Sequence, residues 1–195
     1  MTSQERYAIL PPMSDTMLRF QFDEKKGVEA LTYIASKWPG VTAFFAAKVL
    51  FFAEKYHLNR YARPIVADTF IAMPAGPVPS TLYDFIKGRL ESAGDPEAIQ
   101  AALSIERNPY PKVTARREAD LNALSPSDLE CLDEALAFCR ARGFGALSSL
   151  THQEKAWQSA QANGPMDYAA MIDDANPARE AVLEEAKEFA AYGVL

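Results

Sequence analysis

Two histidines are present in the chain, His57 and His152, and a glutamate lies close to each of them. Glu54 precedes His57 by three residues, so on a helix the two side chains would share one face. Glu154 follows His152 by two residues. Two imidazoles and two carboxylates are donors that suit zinc or iron. If the elements that carry them meet, the sequence allows a metal-dependent hydrolase built on these four residues.

The alternative interpretation of the same side chains is structural. The chain lacks the HExxH and CxxC motifs, whose dense ligand spacing is typical of zinc sites. Thr151 and Glu154 have the spacing of a helix capping box, with Trp157 turned inward. His57 ends an apolar run and is placed to bond backbone carbonyl groups. We therefore expect no bound metal and no cofactor.

Two further charged residues, Lys48 and Asp68, lie among apolar neighbours. A lysine in such a helix can lay its stem along the surface and keep its ammonium group in water. An aspartate inside an apolar segment needs a partner if it is buried. The sequence leaves open whether Lys48 reaches water or pairs with Asp68.

A catalytic nucleophile is not indicated. Cys131 and Cys139 fall on one predicted helix, about 12 Å apart along its axis. A disulfide requires Cα atoms within about 7 Å, so we expect reduced thiols and a cytoplasmic protein. Neither cysteine has a histidine nearby in the sequence, and there is no GxSxG elbow or glycine-rich phosphate loop. We expect a protein that is not an enzyme.

The composition narrows the class of partner. The chain has 195 residues and a net charge of −6, with 49% hydrophobic residues, as in an ordinary globular protein. Because non-specific nucleic-acid binding depends on Lys and Arg neutralising phosphates, the acidic balance disfavours a nucleic-acid partner. We also expect no secretory signal and no membrane span, since charged residues interrupt the longest apolar run.

The elements that must position these residues centre on one apolar helix. The run from Thr42 to about Leu58 is apolar on nearly every side, which predicts a central, buried helix. Asp23 is placed to cap a helix before it that ends near Lys37. Start signals predict later helices at four places: Ser80 or Thr81, Asp95-Pro96, Ser125-Pro126 and Asn176-Pro177.

Two segments have strand character. Residues 65–73 are rich in β-branched and aromatic side chains and end in a Gly-Pro-Val-Pro turn. Residues 104–119 carry a second such pattern, and we predict that the two segments pair. The predicted fold is α+β and mainly helical, a single domain of about six helices with a small antiparallel sheet.

The region of the predicted strand and the Gly-Pro-Val-Pro turn also offers a surface for binding another protein. Exposed strands accept partner strands, and aromatic side chains anchor interfaces. The candidate partner-binding residues are Phe70, Met73, Pro77, Pro79 and Tyr83. The alternative is that Phe70 and Tyr83 simply seal the central helix against the sheet.

Two blocks of sequence resemble the Panacea domain of SocA-like bacterial antitoxins. The first block, within residues 48–88, matches at Lys48, Phe51, Glu54, His57, Tyr61, Pro64, Asp68, Phe70, Gly76, Pro77, Val78, Leu82 and Tyr83. The second matches at Leu124, Ser125, Leu132, Asp133, His152, Glu154 and Trp157. The resemblance covers roughly residues 25–160, and the order and spacing of two separate blocks make it more specific than either motif alone.

This resemblance implies a non-enzymatic antitoxin whose partner is a cognate protein toxin. Some members of the family act as proteolytic adaptors that hand the toxin to a AAA+ protease such as ClpXP. The polar residues of the family motif are Lys48, Glu54, His57, Asp68, His152 and Glu154. They are expected either to contact the toxin or to form a buried structural network.

The resemblance also suggests boundaries within the chain. Residues 1–22 are predicted as an extended or partly disordered leader, residues 23–165 as the Panacea-like domain, and residues 166–195 as a C-terminal helical extension packed on it. The last residues, AAYGVL, are short and apolar. We expect them to be a docked helix end, with a protease-recognised terminus as the alternative.

Overall fold

Helix α2 (Ala43–Tyr61) runs through the centre of the computed structural model, which describes residues 17–91 and 93–193. Its buried positions lie on all sides of the helix, and Phe51 and Leu58 have no exposed surface. Helices α1 (Glu24–Lys37) and α5 (Pro126–Arg140) pack against it. The prediction of a central, buried helix is confirmed, because a helix apolar all round must be covered on every face.

Local capping chemistry sets the starts of several helices as predicted. The Asp23 side chain accepts the backbone amide of Lys26 at 2.9 Å and begins α1. Asp95 does the same for α4 (Pro96–Ala102). Ser125 and Asp128 form a reciprocal capping box at the start of α5. Each cap supplies an acceptor for an amide that has no partner within its own helix.

The strands pair differently from the prediction. Strands β2 (Phe70–Met73) and β3 (Gly76–Pro79) form a hairpin. A separate sheet has the order β1-β5-β4, from Val41–Thr42, Lys112–Ala115 and Leu103–Glu106. The predicted pairing of residues 65–73 with 104–119 is therefore wrong. Strands β2 and β3, and likewise β4 and β5, pair across a short turn, whereas β1 pairs with the distant β5. The outer edge of β2 bonds residues 163–166.

The remaining helices, α3 (Ser80–Ile86), α6 (Phe144–His152), α7 (Lys155–Ser159) and α8 (Arg179–Tyr192), surround this core. The predicted capping box at Thr151 and Glu154 is wrong. Thr151 lies in the last turn of α6, where its hydroxyl donates to the carbonyl of Leu147 at 3.0 Å. Glu154 precedes α7 without capping it.

Both ends of the described chain pack on the domain. Residues 17–22 form neither helix nor strand, and Phe20 makes an edge-on contact with Tyr168 at 5.0 Å between ring centroids. Helix α8 buries Val182 and Ala186. The rest of the predicted leader, residues 1–16, and the final two residues lie outside the described part of the chain.

The fold class is confirmed as α+β, mainly helical, in one domain. The residues that the structure describes form eight α-helices and two small antiparallel sheets, against the six helices and one sheet predicted. None of the helices in that part of the chain is long and apolar enough to cross a membrane.

Candidate functional site

The carboxylate of Glu54 is completely enclosed and holds the loop that follows α2. Its oxygens accept the backbone amides of Ile65 at 2.6 Å and of Val66 and Ala67 at 2.9 Å each. Burial raises the pKa of Glu54, while the three amide donors favour its charged form and oppose that rise. These bonds explain why residues 65–67, the start of the segment predicted as strand, do not form one: their amides bond to the Glu54 side chain.

Asp68 plays a similar part for the next helix. Its carboxylate accepts the backbone amides of Thr81 at 3.1 Å and Leu82 at 2.8 Å, which are free amides at the start of α3. Burial raises the pKa of Asp68, and these backbone donors oppose the rise. The Asp68 carbonyl in turn accepts the hydroxyl of Tyr168 at 2.7 Å. Asp68 therefore links β2, α3 and the segment before α8.

His57 is buried between α2 and the start of α5. Its Nδ1 lies 2.8 Å from the carbonyl of Arg63, which can only accept, so Nδ1 carries a proton. Its Nε2 faces Ser127 Oγ at 3.0 Å and Asp128 Oδ1 at 3.1 Å. The prediction that His57 bonds a backbone carbonyl is confirmed.

Asp128 completes this cluster and was not singled out from the sequence except as part of a helix start. Lys26 reaches its Oδ2 at 2.9 Å, and the amide of Ser125 donates to the same oxygen at 2.8 Å. Burial would raise the pKa of Asp128, but the bonds to His57 and Lys26 hold it well below the usual range. The buried ion pair thus joins α1, α2 and α5.

Lys48 differs from these groups because, among the residues that the structure describes, no carboxylate bonds its ammonium group. Its Nζ donates to the carbonyl of Pro77 at 2.8 Å and lies 4.9 Å from the centre of the Phe44 ring. The side chain is 1% exposed, and burial lowers the pKa of Lys48 to about 7. Lys48 therefore neither reaches water nor pairs with Asp68, so both interpretations of its role were wrong.

Gly76 fits tightly beside Lys48. Its φ of 95° is one that side chains rarely adopt, and a Cβ there would lie 3.0 Å from Lys48 Nζ and clash with the hydroxyl of Thr151. The hairpin backbone is thus pressed against α2 and α6. This close approach is what places the Pro77 carbonyl within reach of the lysine.

His152 fixes the turn of the hairpin. Its Nε2 bonds the carbonyl of Pro74 at 3.0 Å, and its ring stacks on Trp157 with 4.1 Å between centroids. The indole nitrogen of Trp157 donates to the carbonyl of Met73 at 3.1 Å. Both side chains therefore hold backbone carbonyl groups of the turn.

The four residues of the metal hypothesis do not come together. Glu154 pairs with Lys55 at 2.6 Å, whereas Glu54, His57 and His152 each bond the separate partners given above. Across residues 17–91 and 93–193, no three His, Cys, Asp or Glu side chains are grouped so that they could hold a metal ion. The geometry gives the metal-dependent hydrolase no support.

Most of the predicted partner-binding residues lie inside the domain. Phe70, Pro77 and Pro79 are buried, and Phe70 stacks edge-on against Phe51 in the core. Met73 and Tyr83 are partly exposed, and Lys87 lies over the Tyr83 ring at 4.1 Å. Of the five residues predicted to form a partner-binding surface, only Met73 and Tyr83 are partly exposed, and their role in partner binding stays a prediction.

A second surface was not predicted. Four rings touch in sequence, and we call them the aromatic patch: Trp38, Phe45, Phe44 and Phe144. They come from the end of α1, the first turn of α2 and the start of α6. The sequence contains one sign of this surface, Gly-Phe-Gly at residues 143–145, where the two glycines favour a turn around a large apolar side chain.

Comparison with known proteins identifies one family. The family model for the SocA-like antitoxin Panacea domain matches residues 47–158, which run from the first turns of α2 to α7. The comparisons with curated proteins and with solved structures each gave no match. The matched segment is more than half of the chain and includes all six polar motif residues. The chain belongs to the SocA-like antitoxin family that carries the Panacea domain.

Proposed function

We propose that this protein is an antitoxin that binds a cognate protein toxin and neutralises it without catalysis. The observation that carries this function is the family match over residues 47–158, which covers α2, the hairpin and α5. Two free cysteines, Cys131 and Cys139, are compatible with action in the reducing cytoplasm, which is part of the proposal.

The contacts of the polar motif residues support a scaffold role. Glu54 holds the loop after α2, Asp68 caps α3, and His57 joins the α5 cap. Charge-assisted bonds of this kind fix neighbouring elements in one arrangement. A surface that is already ordered loses less entropy on binding, so a rigid scaffold favours tight capture of a partner.

Co-expression with the toxin encoded beside it tests this function in cells. We expect the chain to restore growth, and failure to do so would remove the assignment. With purified components, binding predicts that toxin activity falls in proportion to added antitoxin and vanishes near molar equivalence. Complete loss of toxin activity far below equivalence would indicate catalysis instead.

The finer form of the proposal is that the chain is an adaptor for a AAA+ protease such as ClpXP. An adaptor that tethers the toxin to the unfoldase raises the local concentration of substrate there. Toxin half-life, followed after synthesis is stopped, should then lengthen when either the antitoxin or the protease is removed. An unchanged half-life with continued rescue would favour masking of the toxin surface.

A further inference from the structure

The aromatic patch reaches the surface at the start of α2. Phe144 stacks on Phe44 with 4.3 Å between ring centroids, and its side chain is 56% exposed. Trp38, Phe44 and Phe45 are partly exposed. Single exposed apolar residues are normal, but connected ones mark interaction sites, and aromatic rings are enriched among the residues that anchor them.

The three chain segments that meet at the patch carry basic and no acidic side chains, whereas one carboxylate from outside these segments, Asp133, accepts the hydroxyl of Tyr33 at 2.8 Å. Three segments meet there, residues 30–53, 107–117 and 135–153, and none contains Asp or Glu although the chain has 26 acidic residues. Their contact is direct, because Ala43 donates to the Pro111 carbonyl at 2.9 Å and Phe44 touches Phe144. Basic side chains in these segments include Lys37, Lys112, Arg140 and Arg142.

Arg140 brings positive charge into contact with the aromatic patch. Its guanidinium lies 5.2 Å from the centre of the Trp38 ring, and it donates to the carbonyl of Lys37. Lys37 and Arg140 are both exposed. Neither forms a salt bridge among the residues described, so their charges are available to an incoming group.

The N-terminal ends of two helices add to the positive electrostatic potential at the patch. Helices α2 and α6 both begin at the patch, and neither carries an acidic residue in its first turn. Within the described part of the chain, no side chain caps either helix start. The amide groups at a helix start carry partial positive charge. Their contribution has the same sign as that of Lys37 and Arg140, and so it reinforces the preference for an acidic partner.

We propose that the aromatic patch and its cationic rim, formed by Lys37 and Arg140, make up the surface that holds the toxin, through a toxin segment with apolar anchors and acidic flanks. This role rests on the antitoxin function proposed above and names the chemistry of the partner. The local positive charge suits an acidic group. A net charge of −6 opposes binding to a phosphate backbone, with its high charge density, more than binding to a short acidic protein segment.

Paired variants test the surface against matched controls. Phe144→Ser removes the most exposed ring, and Leu121→Ser removes a side chain of similar exposure, 54%, outside the patch. Arg140→Glu reverses the rim charge, and Arg89→Glu reverses an exposed charge on another loop. We expect each patch variant to weaken toxin affinity about tenfold or more, and each control to change it about twofold or less.

The possible outcomes distinguish a failure of the surface assignment from a failure of the proposed antitoxin function. Affinity should be measured by calorimetry at low and at physiological salt, where Arg140→Glu should also flatten the salt dependence. If the wild-type chain binds the toxin and both patch variants bind equally well, the surface assignment is overturned and the antitoxin function stands. If the wild-type chain does not bind, the function itself fails and the assignment fails with it.

Two other occupants are tested with the same variants. If Phe144→Ser and Arg140→Glu abolish self-association in sedimentation while leaving toxin affinity unchanged, the patch is an interface between copies of this chain. If they abolish binding of a labelled single-stranded DNA oligonucleotide instead, the patch is a nucleic-acid site. Either result would overturn the assignment to the toxin.

Discussion

The two ends of helix α2 use different chemistry. Towards its C-terminal end, Glu54 and His57 are buried and bond to the loop after the helix and to the start of α5. At its N-terminal end, Phe44 and Phe45 are partly exposed and continue into Phe144. One end holds the domain together, whereas the other offers apolar surface and positive charge. Glu54 and His57 thus act within the scaffold, and we propose that the binding surface lies at the other end of the helix.

Removing the Glu54 carboxylate should have the largest effect on stability, because it removes the bonds between the C-terminal half of α2 and the loop that follows it. Glu54→Ala leaves three buried amides without acceptors and opens a cavity, so we expect the free energy of unfolding to fall by about 3–5 kcal/mol. Urea denaturation measures this loss. The control Glu130→Ala, on the exposed side of α5, should change it by about 0.5 kcal/mol or less. A loss for Glu54→Ala no larger than for the control would remove the scaffold role.

Lys48 lies between the two ends of α2. We expect its effect on the free energy of unfolding to be smaller than that of Glu54 and to depend on pH. Burial lowers its pKa to about 7, so above that pH the native side chain is neutral while the unfolded one is still charged. The unfolded state then binds more protons, and stability rises with pH up to the unfolded pKa of about 10.4.

The matched variant for Lys48 is Lys48→Met, which keeps the apolar stem and does not titrate. Between about pH 7 and about pH 9, we expect the wild type to gain about 2 kcal/mol relative to Lys48→Met. Urea denaturation of both proteins at each pH measures the difference. A difference that stays constant over this range would show that Lys48 titrates normally.

Phe144→Ser should have the smallest effect on stability, in contrast to Glu54→Ala. The ring is more than half exposed and rests on Phe44, so we expect the free energy of unfolding to fall by about 1 kcal/mol or less. Thermal or urea unfolding measures this change. A loss of several kcal/mol would mean that the patch is part of the core, and reduced toxin binding by this variant would then reflect misfolding.

Local chemistry was predictable from the sequence. Asp23, Asp95 and Ser125 each begin a helix as predicted, because a cap needs only the residue and the amides just after it. The same locality explains the failure at Thr151, since the spacing of a capping box also arises where one helix ends and another begins. The central position of α2 was predictable because its composition leaves no face for water.

Contacts between distant segments were not predictable. Strand pairing depends on which edges meet, and β2 pairs with β3 rather than with residues 104–119. The partners of Lys26 and Lys48 are a carboxylate on α5 and a carbonyl on the hairpin. The exposure of Phe144 likewise depends on how α6 sits against α2. A single sequence contains no information on these tertiary distances beyond apolar pattern and spacing.

Hydrogen–deuterium exchange of the chain with and without its toxin tests the contrast between the two ends of α2 most directly. The first amides of a helix lack intrahelical partners and exchange readily, so a bound toxin segment protects them. We expect protection at the starts of α2 and α6, where residues 44–45 and 144–146 have amides without an intrahelical partner, and little change at residues 65–68. Protection confined to the hairpin at residues 70–79, with the starts of α2 and α6 unchanged, would contradict the account.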